Sequence, residues 1–96
     1  MTTKVRFQEI CSVLGPHYTI AVSDYETVIY RDLGNGHEII ISSGNNKKKD
    51  LNLWLDVRNK KYSAPIETIR NITSTMELKQ HLDTIISRIS HSPVEP

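Results

Sequence analysis

Leu51-Asn52-Leu53-Trp54-Leu55-Asp56-Val57-Arg58 alternates apolar and polar side chains without a fault. That is the pattern of a strand whose successive residues face opposite sides of a sheet. Leu51, Leu53, Leu55 and Val57 are expected to look into a core. Asn52, Trp54, Asp56 and Arg58 then look the other way, and the tryptophan between two polar neighbours is the member of that outer row that a purely structural role explains least. The stretch predicts a sheet at the centre of a small α+β domain without naming an activity.

Upstream of it, Gly34-Asn35-Gly36 is the strongest hairpin signal in the chain, because these residues accept the positive φ values of a tight connection. It separates a strand over residues 26–32, through Thr27, Val28, Ile29 and Tyr30, from one over residues 37–42 that carries Ile39-Ile40-Ile41. Three consecutive isoleucines put apolar side chains on both faces of a sheet. A three-residue loop pairs Ile29 with Ile41 and Tyr30 with Ile40; a two-residue Asn35-Gly36 turn shifts the pairing by one. In the first register Ile29, Leu33, Ile39 and Ile41 share one face and Val28, Tyr30 and Ile40 the other. An earlier strand is expected over 17–23, with Tyr18, Ile20 and Val22 on one side and Ser23-Asp24 as turn residues.

Helices are expected at both ends of this meander. Phe7, Ile10, Cys11 and Leu14 recur at i, i+3, i+4 and i+7, which predicts a short helix over 4–14, closed by Gly15-Pro16. Near the other end, Ser74-Thr75-Met76-Glu77 has the form of a capping box. It is followed by Leu78, Leu82, Ile85 and Ile89 on one stripe, predicting a helix of about 16 residues. Between strand and helix, Pro65 with Ile66, Ile69 and Ile72 at spacing three fits a tight helical turn or a loose edge strand, and residues 62–73 are read as mixed. The fold class expected is α+β: an N-terminal helix, a four-stranded antiparallel β-meander and a C-terminal helix, with both helices packed on one sheet face. Residues 1–91 form the single domain expected, and 92–96 a flexible C-terminal tail.

A chain of 96 residues buries roughly 65% of its unfolded surface, enough for one core without metal or disulfide staples. Twelve Lys and Arg against eleven Asp and Glu give a formal charge of +1, which argues against a dedicated nucleic-acid protein and against an acidic mimic. Cys11 is the only cysteine, so no intramolecular disulfide forms. Together with the lack of a signal-peptide pattern or a long apolar run, this makes a cytoplasmic location the expectation. Cys11 sits on an apolar helix stripe and reads as a small buried hydrophobe rather than a nucleophile.

Enzyme chemistry leaves no pattern. His17, His37, His81 and His91 lack metal-ligand spacing, and neither a G-x-S-x-G elbow nor a phosphate-binding G-x-x-x-x-G-K-[ST] loop occurs. His81 lies one turn after Glu77, the spacing of an exposed helix contact. No catalytic residue, cofactor, metal or membrane contact is therefore expected. The layout is similar to that of small accessory and inhibitor proteins, a likeness of arrangement that carries no activity with it.

What remains is an interaction surface. If both helices cover one face, the other exposes Trp54 with Tyr30, Ile40 and Val28, rimmed by Asp56 and Arg58. Such residue types and such rimmed apolar patches mark binding sites. The expectation is a protein-interaction module, either a homodimer or an inhibitor-like binder of another macromolecule. The competing structural reading makes Trp54 an ordinary core residue under the C-terminal helix or the 62–73 segment. The alternative from another class is nucleic-acid binding, with Lys47, Lys48 and Lys49 on phosphates and Trp54 stacked on a base. A lysine run in an Asn-rich loop is also ordinary solvated hairpin chemistry.

Overall fold

The computed structural model describes residues 3–23, 26–34, 36–43, 52–61 and 64–91. The first apolar stripe forms helix α1 (Thr3–Leu14). Gly15 closes it in the left-handed region at φ 109°, its N–H donating to the Cys11 carbonyl at 2.9 Å. This is the helix stop that glycine permits without steric cost.

Five strands follow, where the expectation was four: β1 (Thr19–Ser23), β2 (Glu26–Asp32), β3 (His37–Ser43), β4 (Leu53–Asn59) and β5 (Ala64–Ile72). They form one antiparallel sheet in the order β1-β2-β3-β4-β5. The β2–β3 register pairs Ile29 with Ile41 and Tyr30 with Ile40, and Leu33 donates its N–H to the His37 carbonyl at 3.0 Å. The connection is thus the longer of the two weighed, with Gly34 and Gly36 at φ 86° and 76° supplying conformations that most side chains resist.

Of the two alternatives for residues 62–73, a tight helical turn or a loose edge strand, the strand is found over Ala64–Ile72, and residues 62 and 63 lie outside the described residues. Ile69 pairs with Leu55 and Ile72 with Leu53, so three steps on β5 match two on β4. A bulge absorbs the extra residue, and Asn71 at φ 60° takes the left-handed conformation that Asn tolerates better than most residues. A spacing of three, helical on its face, is here a strand whose phase is reset. A second irregularity lies between Val57 and Arg58, whose partners are Glu67 and Pro65, and leaves Ile66 exposed.

Helix α2 (Thr75–His91) begins at the capping sequence. The Ser74 hydroxyl accepts from the Glu77 N–H at 3.1 Å, and the Glu77 carboxylate accepts from the Thr73 N–H at 3.3 Å. The reciprocal contact thus reaches one residue further back than the simplest box. Phe7 and Ile10 from α1 and Leu78, Leu82 and Ile85 from α2 join Ile29, Ile39, Ile41, Leu53, Leu55, Val57 and Ile72 in one buried cluster. In detail the packing differs from two helices laid together over a four-stranded sheet: α1 rests against β1 and β2, and α2 against β5. A fifth strand widens the apolar face, and the helices divide it. Arg88 of α2 pairs with Glu67 of β5, clamping that edge. The result is a small single-domain α+β fold, and no helix among the described residues is long and apolar enough to cross a membrane.

Candidate interaction face

Alternation along β2, β3 and β4 decides what stands opposite the helices. With Ile29, Ile39, Ile41, Leu53, Leu55 and Val57 in the cluster, their strand neighbours Val28, Tyr30, Glu38, Ile40, Ser42, Trp54, Asp56 and Arg58 face away from it. No described helix lies over this second face.

The six residues expected at a partner surface, Trp54, Tyr30, Ile40, Val28, Asp56 and Arg58, do share it, in two layers. Val28 and Ile40 are only 3% and 7% exposed, although neither belongs to the helix-side cluster. Ile40 has Tyr30 on one side and Asp56 on the other as direct cross-strand partners, with Trp54 and Arg58 two residues along β4 to either side of Asp56. Neighbours at those positions lie close enough for long side chains to lean over a smaller one. The two aliphatic residues therefore form a floor. Trp54, Tyr30, Asp56 and Arg58 stay half-buried above it.

The upper layer is tied together by polar contacts. The Tyr30 hydroxyl donates to Glu38 Oε1 at 2.9 Å, and the Thr68 hydroxyl donates to Asp56 Oδ1 at 2.7 Å. Burial, and next the neighbouring Glu38 carboxylate, push the Tyr30 hydroxyl above its ordinary value of 10.0, so it is a neutral donor at physiological pH. The guanidinium of Arg70 lies over the Trp54 ring, 4.7 Å from its centroid. This cation–π contact is worth about 0.5–1 kcal/mol at an exposed position. Arg58 Nε is shut off from solvent without a hydrogen-bond partner.

Arg70 and Thr68 are the members that sequence reasoning missed. Both lie on β5, and they are legible as neighbours of Trp54 and Asp56 only once the spacing of Ile69 and Ile72 is read as a bulged strand. Lys47, Lys48 and Lys49, the candidate phosphate contacts, lie outside the described residues. At one end of the sheet Lys60 Nζ pairs with Asp32 Oδ2 at 2.8 Å, and the Lys60 N–H donates to the Gly36 carbonyl at 2.9 Å, which fastens the β2–β3 turn to β4.

On the helix side, Cys11 packs against the core, and burial pushes its thiol above the ordinary value of 9.0, away from thiolate reactivity. A depression of about 360 Å³ between α1 and the start of α2 is lined by Arg6, Glu9, Ile10, Val13 and Thr75 and includes none of the expected site residues. Among the described residues, no three His, Cys, Asp or Glu side chains gather as a metal site. No protein-family model, curated protein or solved structure gives a significant match to this chain.

Proposed function

We propose that this chain is a non-enzymatic interaction module, a homodimer or an inhibitor-like binder of another macromolecule, that makes contact through the sheet face around Trp54. The observation that carries the reading is the unequal cover of the two faces. Helices seal one, whereas the other presents Trp54, Tyr30, Arg58 and Arg70 over a small aliphatic floor. Trp, Tyr and Arg are the types most enriched among residues that dominate binding energy. The reactive-looking groups elsewhere have quieter explanations, as the packed Cys11 thiol illustrates. A single cysteine suits a reducing compartment, and a cytoplasmic location belongs to the same proposal.

The test is Trp54→Ala. Capture of partners from the native cell by wild-type and substituted bait is compared with urea unfolding of both proteins. The expected result is lost capture with a stability change on the order of 1 kcal/mol, against about 3–5 kcal/mol for a large aromatic removed from a core. A core-sized loss of stability with capture unchanged would end the proposal. For the dimer version, sedimentation across a concentration series decides: a strict monomer at high concentration removes it.

Nucleic-acid binding through Lys47, Lys48, Lys49 and Trp54 is the second reading, favoured by the arginine–tryptophan stack that a base could join. It predicts binding of a mixed single-stranded oligonucleotide that weakens steeply between low and moderate salt.

A further inference from the structure

The two edges of the sheet are finished differently. Along β5, Pro65 lacks an N–H, two irregularities break the register with β4 and Asn71 turns left-handed, while Glu67 is held by Arg88 of α2. Such features keep an edge from accepting another strand. β1 carries none of them. It pairs with β2 in unbroken register from Thr19 to Ser23 and contains neither a charged residue nor a proline.

The direction of its free backbone groups follows from the register. Leu33 donates to His37, so Arg31 and Ile29, at alternate positions back along β2, bond toward β3, and Tyr30 and Val28 bond toward β1. Their partners Thr19 and Ala21 turn inward to meet them. Ile20 and Val22 therefore present N–H and C=O outward, with no partner among the described residues. On the helix side of the sheet Ile20 packs against the core, whereas Val22, two residues on, is 74% exposed.

A second β1 laid antiparallel about a two-fold axis at Ala21 answers both deficits. Ile20 of each copy then stands opposite Val22 of the other, so their outward N–H and C=O groups bond across the axis and the exposed valine gains an isoleucine neighbour. The strand brings no charge to repel its own copy. α1 rests against both β1 and β2, about half a strand spacing inside the edge, which sets the two α1 axes roughly 10 Å apart, the separation of packed helices. Arg6, Glu9 and Val13 line the α2 side of α1, and at about 3.6 residues per turn Gln8 and the half-buried Cys11 lie toward the free edge. Because β5 is closed to such pairing, the association stops at two copies.

We infer that β1 is a dimerisation edge, pairing with β1 of a second copy and joining two five-stranded sheets into one. Both Trp54 faces then lie on the same side of the joined sheet, opposite the helices. The contact is separate from the Trp54 face, so either reading can fail alone.

Sedimentation of the whole chain is followed from about 10 to 500 µM, a range suited to a small interface. The mean mass is expected to rise toward that of two chains, to stay at one in Val22→Lys, and to rise as before in Trp54→Ala. Val22 is exposed, so circular dichroism and the urea midpoint of Val22→Lys should match the wild type. In a Cys11→Ser background, Ala21→Cys should link two chains under oxidised glutathione, since non-hydrogen-bonded partners lie roughly 4.5 Å apart at Cα, within disulfide reach. Ile66→Cys, on the opposite edge, should not. A wild type that stays monomeric throughout overturns the proposal, as does crosslinking no greater at position 21 than at position 66. A dimer that survives Val22→Lys but not Trp54→Ala overturns it too, and assigns self-association to the sheet face instead.

Discussion

The two faces of this sheet bury aliphatic side chains by different means. On the helix side, Ile29, Ile39, Ile41 and Leu55 are fully buried under residues delivered from α1 and α2. On the far side, Val28 and Ile40 are nearly as inaccessible without a helix above them among the described residues, where the groups able to screen them are strand neighbours with polar ends. Low exposure thus describes two physical situations. A side chain sealed by a separate element is inside the domain; one screened by the half-buried Tyr30, Trp54 and Arg58 lies one layer beneath the surface.

Substitution should separate these situations. Leu55→Ala removes a side chain locked between sheet and helices and is expected to cost about 2–5 kcal/mol in urea unfolding. Ile40→Ala should cost less, on the order of 1–2 kcal/mol, since the flexible residues above it can settle into the vacated space. Equal costs would mean that both faces are interior, and the distinction drawn between them would collapse.

A smaller effect sharpens the helix side. Ser74→Ala deletes the hydroxyl that accepts from the Glu77 N–H, and the expected loss is about 1 kcal/mol. Ser74→Asp should restore most of it, because a carboxylate serves both as cap and as partner for the helix dipole. A stability unchanged in Ser74→Ala would mean that packing alone holds α2 in place.

The smallest effect concerns the end of the far face, where Asp32 stands opposite Glu38. The hydrogen bond from Lys60, followed by that from the Gly34 N–H, holds the Asp32 carboxyl below its ordinary value of 3.8. The Asp32 carboxylate, through its hydrogen bond and then its charge, holds Lys60 above 10.5. A carboxyl with a lowered folded value contributes stability that is present above pH 3.8 and fades as pH falls through the lower folded value. A raised lysine contributes below pH 10.5 and loses its contribution as pH rises through the higher folded value. Asp32→Asn should therefore lower the thermal midpoint slightly at neutral pH, with the gap to the wild type closing in strong acid. Both groups are exposed, so the gap should shrink with added salt as well. A gap that persists unchanged in strong acid would assign the role of Asp32 to its turn geometry rather than to its charge.

Much of this arrangement is legible in local pattern. Alternation over Leu53, Trp54, Leu55, Asp56 and Val57 sorts residues between faces because the side-chain period of a strand is two. The isoleucine triplet requires apolar cover on both sides, and Ser74 and Glu77 mark the start of α2 through hydrogen bonds that span only a few residues. The fifth strand is not legible in this way. Ile66, Ile69 and Ile72 keep a helix-like interval, and only pairing with β4 shows that Asn71 turns left-handed to bring Ile69 and Ile72 onto one face.

Sequence alone determined which side chains travel together, since that depends on backbone periodicity within a few residues. Which group of them the helices cover, and that Arg70 comes to rest on Trp54, only the tertiary structure decided. Those outcomes depend on contacts between segments far apart in the chain, and on a bulge whose conformational cost is met by strand pairing rather than by any preference of the residues within it.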